Sequence, residues 1–272
     1  MAVTVPRAVL HRYYRFSLYN SPFDAHDEGC AIDLYPKGGR APSPVAGEVL
    51  DTKTVRAPPK PYAADEDYLI LVVTGEYVAR LLHVKPGVEP GDVVAVGDDL
   101  GELVRAGFFA PWVPNHVHLG FREHDADPYR AAGSLPVEAG VDVEPLPWDG
   151  TGTVVEAGET WARLDSPTHP APGERFVGLE SAGDGVLDGG LPHYEWGGVL
   201  GGDGGEATLA GQRVGVTDGR TVAWDDLTIR ANGDAITGVA LFCSRDDAGV
   251  KLVGEDVDLA VGESVTVTVD RG

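Results

Sequence analysis

Glycine and proline punctuate this chain too often for long helices to form. There are 37 glycines and 20 prolines in 272 residues, and the runs between them are short, many with apolar residues at every second position. Inside a helix each glycine costs about 1 kcal/mol and each proline about 3 kcal/mol. In turns between strands both are at home. Alternation with a period of two is the pattern of a half-buried strand, so the chain reads as mainly β. Its 43% hydrophobic content places it among globular chains, long enough for one large domain or two smaller ones.

In chain order, residues 7–22 read as an entry strand closed by a proline turn, and Phe23–Pro36 as a polar loop running into a short apolar strand. Ser43–Leu50 is a turn and a strand, and 51–66 a proline-rich loop. Asp67–Val73 and Tyr77–Val84 make a hairpin about Thr74-Gly75-Glu76. Residues 86–101 alternate short strands with glycine turns, and 107–114 form an aromatic, proline-punctuated loop. The texture changes after about residue 130. We therefore expect a β domain over 1–130, a linker over 131–150, and a second all-β domain over 151–272, a sandwich or barrel. Gly197–Gly205 carries no phosphate-loop lysine and reads as a flexible loop. The alternating valines and threonines of Val265–Thr268 read as an edge strand.

The charge is lopsided. Forty-three acidic residues against 21 basic ones give −22, and lysine is scarce. An acidic, lysine-poor surface suits concentrated salt, where screening removes self-repulsion. It argues against nucleic acid or an anionic membrane as a partner, since neither is held without a basic patch. It is compatible with a peptide-like substrate or a protein partner. The N-terminal ten residues do not resemble a secretory signal, and no run approaches the length of a membrane span. Two cysteines, Cys30 and Cys243, are too few for a disulfide framework, so a cytoplasmic setting is expected.

One stretch carries chemistry. In Asn115-His116-Val117-His118-Leu119-Gly120-Phe121, alternation puts Val117, Leu119 and Phe121 on one face and His116 and His118 on the other. Residues two apart on a strand lie roughly 6.5–7 Å apart. That suits one histidine as a metal ligand and the other as an acid, base or donor beside the metal. It equally suits two polar side chains on the solvated face of an ordinary strand. Upstream, Asp33 stands between Ile32 and Leu34, where a carboxylate is costly unless it is paired or ligating.

Taken together, His26…Asp33, Ser43-Pro-Val-Ala-Gly-Glu-Val, Ala79-Arg-Leu-Leu-His83, Gly91-Asp-Val-Val-Ala-Val-Gly and His116-Val-His118 resemble, in order and spacing, the lysostaphin-type zinc endopeptidases that cut peptidoglycan cross-bridges. The resemblance covers about residues 20–124. It implies a compact antiparallel β fold of the duplicated hybrid-motif kind, one zinc ion, and Asp33 and His118 as ligands. It further implies His83 and His116 as catalytic non-ligands. The family's first ligand histidine stands four residues before the aspartate, which is Gly29 here. Two candidates remain for that role: His26, brought back by a bulge through Asp27-Glu28-Gly29, and Cys30.

Two other readings compete. Parts of the same segments resemble biotinyl and lipoyl carrier domains, but the hairpin that should carry a modifiable lysine has none. The other rival is a non-catalytic relative with a degenerate metal site, acting as a binding or scaffold protein. His11, His124, His169 and His193 show no partner pattern, and Cys243 reads as a core thiol. Phe108, Phe109 and Trp112 read as packing residues that could also wall a groove beside His116.

Overall fold

The computed structural model describes residues 2–202 and 204–272. Among them are 27 strands, one four-residue helix and two 3-10 turns, so the chain is mainly β, as its glycine and proline spacing requires. It divides into two compact units. One comprises Met1–Phe16 and Phe23–Val141, the other Ser17–Pro22 and Asp142–Gly272.

The first unit is built on six antiparallel strands: β1 (Ala31–Tyr35), β2 (Gly47–Arg56), β3 (Glu66–Thr74), β4 (Tyr77–Leu82), β5 (Val93–Val94) and β6 (Val117–Glu123). They pair in the order β5-β2-β3-β4-β6-β1. β3 and β4 form the expected hairpin, with Gly75 at φ +56° in the turn; only glycine adopts such angles without strain. β2 is longer than its sequence suggests. Residues 51–56 continue it, because the β-branched Thr52, Thr54 and Val55 favour a pleated strand over a loop. A smaller sheet joins Arg40–Pro42, Asp99–Leu103 and Val84–Pro86.

Two other expectations for this half are corrected. The entry segment 7–22 begins with a helical turn, Arg7–Leu10, which follows Pro6 and buries Val9 and Leu10. The stretch 131–150, expected as a linker, holds two strands. Val137–Gly140 pairs in parallel with Val3–Pro6, and Val143–Leu146 pairs with Phe176–Ser181 in the second unit.

The central strand β6 is buried on both faces from Val117 to Arg122. It lies between β4 and β1, and its register sets His118 opposite Asp33 on one side and opposite Leu82 on the other. Opposite residues on paired strands have Cβ atoms about 4.5–5.5 Å apart. The register alone therefore brings Asp33, His118 and the end of β4 together.

The second unit is a series of mostly antiparallel short strands, with Val143–Leu146 parallel to Phe176–Ser181, around an apolar core that includes Val154, Leu164, Leu187, Leu191, Val222 and Leu252. Gly197–Gly205, expected as a loop, begins as part of the buried strand Trp196–Leu200. The glycines are a packing requirement there. A Cβ on Gly197 would meet the Trp224 ring at 1.9 Å, and one on Gly198 the Tyr19 ring at 2.1 Å. Ser264–Arg271, which contains the expected edge strand, has partners on both sides and buries Val265, Val267 and Val269.

Candidate metal centre

The chain approaches the site through a 3-10 turn, Asp24–Gly29. Glu28 (φ +53°) and Gly29 (φ +69°) are both left-handed, and they reverse the backbone into β1. This is the bulge that moves His26, seven residues before Asp33, to where it meets Asp33 and His118. Their donor atoms form a near-equilateral triangle. His26 Nε2 lies 3.0 Å from His118 Nδ1 and 3.2 Å from Asp33 Oδ1, and His118 Nδ1 lies 3.1 Å from Asp33 Oδ1. Among the described residues these three are the only group of His, Cys, Asp or Glu whose ligand atoms converge this way. Cys30 is half-buried and stands outside it.

Two more histidines flank the triangle. His116 directly precedes β6 and lies with Nε2 3.3 Å from the second carboxylate oxygen of Asp33. Its Nδ1 donates to the Pro114 carbonyl at 2.9 Å, so its other nitrogen carries the lone pair. His83, at the end of β4, donates from Nδ1 to Asp67 Oδ2 at 2.7 Å. The His83 ring packs edge-on against His116 (5.2 Å between centroids) and His118 (5.9 Å). Phe109 stacks on His116 at 4.4 Å and meets His83 edge-on at 4.7 Å. Phe108 in turn lies edge-on to Phe23.

His26, Asp33, His83, His116 and His118 are all between 2% and 7% exposed. Neither face of this strand is solvated, which removes the bland alternative for the His-x-His pair. Burial sets the protonation. It pushes His116 down to about 4 and His118 to about 3, only partly offset by the Asp33 carboxylate. Burial by itself would lift the Asp33 carboxyl. The charges of His116 and His26, with hydrogen bonds from His118 and His26, outweigh it and hold the group well below the usual carboxylate range. At neutral pH the Asp33 carboxylate is ionised, and His116 and His118 are neutral.

That donor set fits a divalent cation. The edge between two imidazole nitrogens can be bridged by one proton at most, while a cation is shared by all three donors. A tetrahedral ion with donors about 2.0–2.1 Å away spaces them about 3.3 Å apart. An octahedral one spaces them about 2.9 Å apart, and the observed edges fall between.

The sequence points to all five of these residues, and to Phe109 as a packing residue beside His116, but misses Asp67. Asp67 heads an apolar strand, as Asp33 interrupts one, and that was its available signal. The remaining histidines serve elsewhere. His124 donates to the Gly75 carbonyl, and His169 donates to the Arg175 carbonyl while accepting from the Ala171 amide. His11 accepts from Arg7, and His193 packs on Tyr194. Cys243 is wholly buried, and burial, reinforced by the nearby Asp188 charge, pushes its thiol well up.

Residues 4–139 match a family model described as the N-terminal domain of a domain of unknown function, DUF8155, and residues 144–270 match the model of its C-terminal domain. No curated protein and no solved structure matches the chain. No helix among the described residues is long and apolar enough to cross a membrane.

Proposed function

This chain belongs to the DUF8155 family, and we propose that its N-terminal unit is a metal-dependent hydrolase of peptide or amide bonds. It would hold one divalent ion, zinc foremost, on His26, Asp33 and His118. The observation that carries the reading is the sorting of three histidines about one carboxylate. Two share Asp33 Oδ1 in a triangle of 3.0–3.2 Å edges, and a third faces Asp33 Oδ2 with its other nitrogen already committed. Two imidazoles and a carboxylate are a catalytic zinc set, with a position left for water. The resemblance to lysostaphin-type endopeptidases supports the same assignment.

A bound zinc ion would lower the pKa of its water and polarise a scissile carbonyl. The chain's own groups would do the rest. Because His116 Nδ1 donates to Pro114 O, His116 Nε2 is available to accept a proton, the property of a general base. His83, its Nδ1–H held by Asp67, would serve the leaving group by taking a proton at Nε2 and passing it on.

A second reading has its own observation. All five side chains are buried and Phe109 lies flat on His116, which favours a structural metal centre in a binding or scaffold protein. Metal content of protein purified in high salt tests both. The hydrolase reading predicts about one zinc per chain, lost in His26→Ala and His118→Ala and kept in Cys30→Ala, with zinc-dependent cleavage of a quenched-fluorescent peptide library. Zinc bound without cleavage of any member favours the scaffold. No metal in the parent after zinc addition would sink the hydrolase and the structural metal centre, and leave a scaffold with a degenerate site.

A further inference from the structure

We propose that Asp67 is a positioning residue for His83, fixing the tautomer and ring orientation with which His83 acts; this deepens the hydrolase reading and rests on it. Asp67 is wholly buried at the start of β3, where a carboxylate is costly without partners. One oxygen accepts the Tyr68 amide at 2.8 Å and the other accepts His83 Nδ1–H at 2.7 Å. The backbones are tied as well, because the His83 amide donates to the Tyr68 carbonyl at 3.2 Å.

His83 is held in an uncommon conformation. Its φ is +69°, a region that a residue with a Cβ seldom adopts and that persists where the surroundings impose it. Here the surroundings are β4 behind it, the Val84–Pro86 strand of the smaller sheet ahead of it, and Asp67 at its side chain. The turn at His83 places its ring against Phe109, His116 and His118. A carboxylate at Nδ1 leaves one neutral tautomer, with the proton on Nδ1 and the lone pair on Nε2. Asp67→Asn keeps the shape but offers Nδ1 either an amide oxygen or an amide N–H, so both tautomers become available.

The experiment is 15N NMR of histidine-labelled full-length protein with zinc added, in high salt at alkaline pH, with the His83 signal identified by its loss in His83→Gln. The parent is expected to carry its proton on Nδ1; a proton on Nε2 in the parent overturns the proposal whether or not any variant folds. In Asp67→Asn a mixed or reversed tautomer is expected, with zinc content unchanged. A single, unchanged Nδ1–H tautomer there overturns it. Where the parent cleaves a library peptide, kcat of Asp67→Asn should fall by about 10²- to 10⁴-fold, the range of general acid–base assistance, with KM nearly constant. An unchanged kcat would reduce Asp67 to a structural role. A parent that cleaves nothing defeats the hydrolase reading alone, since the tautomer still decides the role of Asp67.

Discussion

Asp33 has both carboxylate oxygens engaged, Oδ1 by His26 and His118 and Oδ2 by His116. Burial holds His116 and His118 neutral, so acid must act on them. His116 and His118 sit at about 4 and about 3, against roughly 6.5 in an unfolded chain. Between those values the unfolded chain binds more protons than the folded one, and stability falls as pH drops through that window, by up to about 1.4 kcal/mol per pH unit for each histidine. Chelator-treated protein should thus lose urea resistance from neutral pH towards pH 4. A His116→Gln/His118→Gln variant should lose less over the same range; equal losses would contradict the assignment. This chemistry is legible in the sequence because Asp33 interrupts an apolar strand and His116 and His118 stand two apart. Asp67 is not, because its partner, His83, is sixteen residues away and meets it only across a hairpin.

At the scale of elements, the register of β6 between β1 and β4 builds the centre, and the 3-10 turn with its two left-handed residues delivers His26. Alternation predicts strands such as these, but it does not predict which strands become neighbours. The helical turn at Arg7–Leu10 and the glycine strand Trp196–Leu200 are illegible for related reasons. The first is too short to show a period, and the second owes its glycines to rings brought from elsewhere. Gly197→Ala, whose new Cβ would meet the Trp224 ring, should cost about 1–3 kcal/mol or more by overpacking; an unchanged urea midpoint would contradict that packing. The aromatic loop offers a functional test. Phe109 is buried on His116 and His83, so Phe109→Ala should cost about 3–5 kcal/mol and speed zinc release to a chelator. Release at the parental rate would mean that Phe109 does not guard the centre.

For the whole molecule, the border between the two family models and the border between the two compact units nearly coincide, with one exception. Ser17–Pro22 belongs with the second unit. There the buried Asp188 accepts from Ser17 Oγ at 2.5 Å and from the Leu18 amide at 2.6 Å. A fragment of residues 142–272 would lose both donors, and a buried charge left without them is strongly destabilising. We expect that fragment to expose apolar surface, read as dye binding; a fragment as cooperative as the full chain would contradict this. The net charge of −22 acts on both units. Raising salt from about 0.1 to about 1 M shortens the screening length from about 10 to about 3 Å, so the melting temperature should rise.

The measurement that tests the account most directly is zinc K-edge X-ray absorption on the zinc-loaded full-length protein. We predict a shell of nitrogen and oxygen only, at about 2.0–2.2 Å, with the outer scattering of two imidazoles and the signal lost in His118→Ala. A sulfur at about 2.3 Å would hand the third position to Cys30, and a shell without imidazole would remove the centre from His26, Asp33 and His118 altogether.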